Sequence, residues 1–133
     1  FPLGRAQIIL YPPMGQGTSN EEGLFALCSV EEFDLLITGD ADAFVERMLV
    51  KYQPLPDLEL LMVGHHGSAG STDPALLDRL RPELAIISVG HNSYGHPAQE
   101  VLDRLAEAGA QVWRTDQSGS ITVTVQDGLV SIH

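Results

Sequence analysis

Two adjacent histidines, His65 and His66, sit between Gly64 and Gly67 directly after the apolar run Leu60-Leu61-Met62-Val63. An imidazole at the end of a strand is held by the sheet but faces the open space beyond it, where metal and substrate sites are commonly built. Neutral imidazole is a frequent zinc ligand, and a doublet lets one ring bind an ion while its neighbour orients a substrate. Neighbours in an extended chain point to opposite sides, so both rings are not expected on one ion. The alternatives are an interior histidine with its hydrogen bonds met, or a surface pair. The flanking glycines favour close backbone approach around the doublet.

Upstream, Thr38-Gly39-Asp40 ends another apolar segment. A carboxylate there either ligates or bridges a divalent ion, or caps a helix beginning at Ala41, and the two roles are compatible. After the doublet, Gly67-Ser68-Ala69-Gly70-Ser71-Thr72 either presents amides and the Ser68 hydroxyl to an anion or is an ordinary polar loop. Downstream comes Tyr94-Gly95-His96-Pro97. A histidine just before a helix opened by Pro97 can contact a phosphate or protonate a leaving group; the alternative is a residue that merely occupies the cap position. His91 is expected to be exposed, and His133 is terminal. There is no Gly-x-Ser-x-Gly serine, no phosphate loop with lysine and no Cys-x-x-Cys pair. Metal-dependent hydrolysis is the chemistry these residues suit.

The elements that must position them alternate at short intervals. Strands are predicted over 6–11, 24–29, 33–38, 58–63, 84–89 and 111–114, with an acidic turn at Glu31-Glu32 and a polar loop over 14–23. Helices are predicted over 41–52, with Phe44, Met48 and Leu49 as the core stripe, and from Asp73-Pro74 with Leu76, Leu77 and Leu80. A further helix should run from Pro97 to Gly109 with Val101, Leu102 and Leu105 inward. Asp127-Gly128, between alternating segments, signals a closing hairpin. The fold class is α/β (α+β): a mixed sheet with helices on one face, as a single domain or half-domain over 1–133. No segment clearly covers the other face of the sheet, so it is expected to be hidden by another part of a longer protein or by a second copy.

Composition bounds the rest. With 133 residues, 44% of them hydrophobic, the chain is large enough for one real core. No apolar run approaches the roughly 18 residues of a membrane span, so this region is expected to be soluble. The first residue is Phe1 and no signal peptide is visible, which suggests a cut through a longer protein. Cys28 lies in an apolar segment and is expected to be buried and inert. A net charge of −11 with seven Lys and Arg argues against a duplex-DNA binder held by phosphate contacts. A nucleic-acid substrate remains open if metal ions or other domains meet the phosphates.

Leu36-Ile37-Thr38-Gly39-Asp40, Val63-Gly64-His65-His66-Gly67-Ser68, Ile86-Ile87-Ser88-Val89-Gly90 and Tyr94-Gly95-His96-Pro97 stand in the order seen in metallo-β-lactamase-fold hydrolases. Together with Ile9-Leu10-Tyr11-Pro12-Pro13, Arg114-Thr115-Asp116 and Gly119, they make the chain resemble the soluble C-terminal domain of ComEC-type DNA-uptake competence proteins. The resemblance implies the C-terminal half of an αββα sandwich in which two similar halves hold one or two metals, zinc or manganese. It implies Asp40 and His65 as metal ligands, His66 and Ser68 as substrate-binding residues, and His96 as a substrate-contacting, catalytic residue. The family's His-x-His-x-Asp-His motif is absent, since no histidine precedes His65. The chain by itself is therefore expected to bind metal weakly and to be inactive, its missing partner being the N-terminal half of the same domain. The intact parent, a bacterial inner-membrane protein, would hydrolyse phosphodiesters of single-stranded DNA during uptake. The alternatives are a stand-alone metallo-hydrolase of a small ester or thioester, and a non-catalytic interaction scaffold.

Overall fold

β-branched and leucine-rich segments separated by glycine, proline and acidic turns set the strand order. In the computed structural model, which describes residues 2–13 and 23–133, the larger sheet runs in chain order. Strands β1 (Pro2–Leu3), β2 (Ala6–Tyr11), β3 (Phe25–Val30) and β4 (Phe33–Ile37) form an antiparallel meander. Strands β5 (Leu60–Met62), β6 (Leu84–Ile87) and β7 (Gln111–Arg114) continue from β4 in parallel. Helices α1 (Ala43–Tyr52), α2 (Pro74–Leu80) and α3 (Gln99–Glu107) make the crossovers, and the short α4 (Thr115–Ser118) follows β7. The loop expected over 14–23 lies outside the described residues as far as 22. Among the described residues no helix is long and apolar enough to cross a membrane.

All three crossover helices pack on one face. Val45 and Leu49 of α1, Leu76, Leu77 and Leu80 of α2, and Val101 and Leu105 of α3 join Phe25, Leu27, Leu36, Leu61, Ala85 and Ile87 of the sheet in one buried cluster. The α2 stripe is the one expected. The α1 stripe is only partly so: Leu49 is buried as expected and Met48 half-buried, but Phe44 is 46% exposed, and Val45 and the polar Glu46 are buried in its place. The α3 helix starts at Gln99 rather than Pro97, with Ala98 in the cap position and no side-chain cap.

Side chains alternate across a strand, so Phe33, Leu35, Leu60, Met62, Leu84, Ile86 and Trp113 face the other way. The hairpin of β8 (Val123–Gln126) and β9 (Leu129–Ile132) covers them with Val123, Val125 and Ile132. Its turn has positive φ at Asp127 and Gly128, as a two-residue hairpin turn requires. The second face is thus partly covered from within the chain, by a hairpin that was expected but not recognised as its cover. Cover stops short of β2 and of the upper ends of β3 and β4, where Leu10 is 64% exposed and Ile37 38% exposed. Cys28 is half-buried rather than buried, on the wall of an apolar cleft between this face and the hairpin.

Candidate functional site

The loops that follow β4, β5 and β6 all leave from the carboxyl ends of parallel strands, where open α/β sheets build ligand sites. The loop after β4 is a tight turn: the Ala41 N–H donates to the Thr38 carbonyl at 3.2 Å, and Gly39 has φ of 57°. Asp42, not Asp40, caps α1, accepting the Val45 N–H at 3.0 Å. The capping reading of Asp40 is therefore corrected. Its carboxylate is exposed, and it has no hydrogen-bond or ion-pair partner among the described residues.

His65 and His66 do not continue an extended strand. They form a 3₁₀ turn, Gly64–Gly67, in which both have left-handed backbones, with φ of 51° and 56°. For residues with a Cβ this costs roughly 1–2 kcal/mol each, so surrounding contacts must hold it. The His65 N–H donates to the Gly39 carbonyl at 2.8 Å, tying the doublet to the Asp40 turn. The His66 Nδ1 donates to the Ser88 carbonyl at 2.6 Å. A carbonyl only accepts, so Nδ1 carries the proton and Nε2 is the acceptor nitrogen of the neutral ring.

Glycine is required at both ends of the turn. A Cβ on Gly64 would lie 2.7 Å from Thr38 Oγ1, and one on Gly67 would lie 2.6 Å from Pro97 Cβ. The second contact brings the His96-Pro97 corner over the doublet, and the Ala98 N–H donates to the Gly67 carbonyl at 2.9 Å. Asn92 shapes the loop before it. Its Nδ2 donates to the carbonyls of Gly90 and His96, and its Oδ1 accepts the N–H groups of Tyr94 and His96. The His96 ring meets His65 edge-on at 6.0 Å between centroids and stacks on Tyr94 at 5.8 Å. His96 lies outside α3 and caps nothing.

Asp40, His65, His66 and Ser88 line one open cleft of about 150 Å³. His66, His91, Asn92, Tyr94 and His96 line a second of about 180 Å³. His66 borders both. Ser68 lines neither: its hydroxyl accepts the Gly70 N–H at 3.4 Å. Of the amides expected to cradle an anion after the doublet, those of Ser68, Gly70, Ser71 and Thr72 are bonded within the protein. Those of Thr72 and Asp73 donate to the two carboxyl oxygens of Glu46 at 2.9 and 2.7 Å. The group held there is the protein's own carboxyl.

Glu46 is the residue that sequence reasoning missed. It is fully buried on α1, close to Gly64 and Thr38, and fastens α1 to the segment after the doublet. Burial pushes its carboxyl up to about 7, assisted by the charges of Asp73 and Asp42 and opposed by the two backbone N–H groups. Arg47 reinforces the same junction by bonding Asp73, the α2 cap, at 2.7 Å. From the other side, Arg104 of α3 donates to the Ala69 and Ser71 carbonyls.

No group of three or more His, Cys, Asp or Glu able to hold a metal occurs among the described residues. Asp40 and His65 share a cleft, but two donors do not make the four-coordinate shell that a zinc ion takes from protein and water. The donor set of this chain alone does not fit a tightly held metal.

No family model matches the chain. Among curated proteins it is 42% identical over 87 residues to ComE operon protein 3 of Bacillus subtilis, covering 65% of this chain and 11% of that protein. It is 40% identical over 89 residues to competence protein ComA of Neisseria gonorrhoeae, covering 65% of this chain and 13% of that one. Recombination protein 2 of Haemophilus influenzae is 40% identical over 90 residues, with 67% and 11% covered. The chain is a homologue of one segment of the ComEC-type competence proteins. It spans about a ninth of the length of those relatives. The fold is also found in a crystal structure from Parabacteroides distasonis assigned to the metal-dependent hydrolases. The TM-score is 0.54 at 15% identity, over 84% of this chain and 51% of that one. At that identity the likeness concerns the fold, a mixed α/β sheet with helices.

Proposed function

We propose that this chain is one half of a metal-dependent phosphodiesterase domain in a DNA-uptake protein, contributing Asp40 and His65 to a metal shell completed by another segment. The observation that carries the reading is the pairing of these two side chains in one cleft, with no group of three donors able to hold a metal among the described residues. The uncovered apolar strip around Leu10 and Ile37 gives the N-terminal half of the same domain a surface to cover. A second copy is the less favoured cover, because two chains of charge −11 repel. The parent is a bacterial inner-membrane protein, and single-stranded DNA is its substrate. Within this half, His66 and His96 meet the substrate in the cleft they share, and the His66 Nε2 is the nitrogen left to accept a hydrogen bond.

The reading is tested by calorimetric titration of zinc and manganese into this chain and into the longer parent that includes the preceding segment. Weak binding by this chain and tight binding by the parent, lost on Asp40→Ala, is the expected result. Equal, weak binding by both would overturn the catalytic reading and leave an interaction scaffold.

A further inference from the structure

We propose that Tyr94, backed by His96, is a stacking platform for the planar base of a nucleotide. The proposal rests on the phosphodiester reading above and adds which part of the substrate is gripped, and by what. Tyr94 is 83% exposed, yet it is not a loose side chain on a loose loop. Its N–H donates to Asn92 Oδ1 at 3.1 Å, and its ring lies against His96 at 5.8 Å with 30° between planes. His96 is in turn edge-on to His65 at 6.0 Å. A row of three rings thus leads from solvent to the cleft that holds Asp40.

A large exposed aromatic ring that contributes nothing to a core, held in place and stacked on one side only, suits a flat partner on its open face. The charge pattern identifies that partner further. Of 18 Asp and Glu in the chain, none lies within 60–72 or 84–99, the segments that carry His65, His66, His91, Tyr94 and His96. Among the described residues, Asp40 is the one carboxylate lining either cleft. An anion is therefore tolerated here, in a protein whose charge opposes it elsewhere. A ligand with both a flat heterocycle and a nearby anionic group is a nucleotide, free or within a single strand. Stacking accepts any base, because every base has a π-face.

The test uses the whole chain without metal and follows the Tyr94 ring by NMR, with Tyr94→Phe for assignment. The probes are thymidine 5′-monophosphate, thymidine, deoxyribose 5-phosphate and a short oligothymidylate. The monophosphate and the oligomer are expected to shift the Tyr94 ring resonances upfield, and deoxyribose 5-phosphate is not. Tyr94→Ala should weaken both by about tenfold, and Tyr94→Phe should keep affinity within about twofold. Unmoved Tyr94 resonances, equal binding of deoxyribose 5-phosphate and the monophosphate, or unchanged affinity in Tyr94→Ala would overturn the platform. If thymidine binds as tightly as its monophosphate and still shifts Tyr94, the platform stands and the phosphodiester reading falls. Tighter binding of the oligomer identifies a strand as the source of the base, and equal binding a mononucleotide.

Discussion

At the amino ends of β4, β5 and β6, Glu31, Glu32, Glu59 and Glu83 surround a cavity of about 480 Å³. At the carboxyl ends of the same strands, His65, His66, His91 and His96 surround two smaller clefts, with Asp40 as the carboxylate among the described residues. The same sheet separates an acidic end from an imidazole end. Net charge, an average over both, therefore misdescribes the end where an anion would bind. The ends also differ in construction. The acidic glutamates sit on turns and bends and are exposed or half-buried, whereas the imidazole end is built on close glycine contacts and a buried carboxyl.

Changes at the imidazole end should therefore cost far more than changes at the acidic end. Gly67→Ala adds a Cβ against Pro97 at a position with φ of 81° and should lower stability by about 2–5 kcal/mol in urea denaturation. A loss under about 0.5 kcal/mol would mean that the His96-Pro97 corner is not seated on the doublet turn.

Glu46 gives the next largest effect, and it depends on pH. Its carboxyl is raised from 4.5 to about 7, so the folded chain holds this proton more tightly than the unfolded chain. The stabilisation is fully present below the ordinary carboxyl range and is lost as pH rises through about 7. Between these limits the wild type should lose on the order of 3 kcal/mol relative to Glu46→Gln. Parallel stability–pH curves for the two proteins would show that the buried carboxyl does not titrate in this window.

Asn92→Ala removes the side chain that closes the 90–96 loop. It should cost about 1–2 kcal/mol in thermal unfolding and broaden the NMR resonances of Tyr94 and His96. The smallest effect belongs to the acidic end. Glu83→Gln, at an exposed position among like charges, should change stability by no more than about 0.5 kcal/mol, with a slight gain at low salt. A larger loss there would erase the contrast.

Much of the fold was legible because it is local. The Leu76-Leu77-Leu80 stripe, the Asp73-Pro74 start and the Asp127-Gly128 turn each depend on a few neighbouring residues, and each stands where the spacing placed it. In the α1 stripe Leu49 stands where it was placed, but Phe44, the larger hydrophobe, was chosen where Val45 packs into the core. Of the site, the sequence identified Asp40, His65, His66 and His96 as residues able to do chemistry, and the structure gathers them at one sheet edge. It leaves Ser68 aside, bonded within its own loop. The only sequence signal for Glu46 was a glutamate beside Val45 and three residues before Leu49, which reads equally well as a solvated first-turn acid.

The sequence by itself determined the order and type of the main strands and crossover helices, the cap of α2, the turn of the hairpin, and the supply of imidazoles and carboxylates. Those follow from periodicity and turn chemistry that act over a few residues. Only the tertiary structure decided that Glu46 would be buried against Thr72, that Gly67 would meet Pro97, and that one carboxylate would remain exposed beside the histidines. Desolvation and close contact are properties of segments far apart in the chain. A side chain's charge state and neighbours are therefore fixed only once those segments pack together.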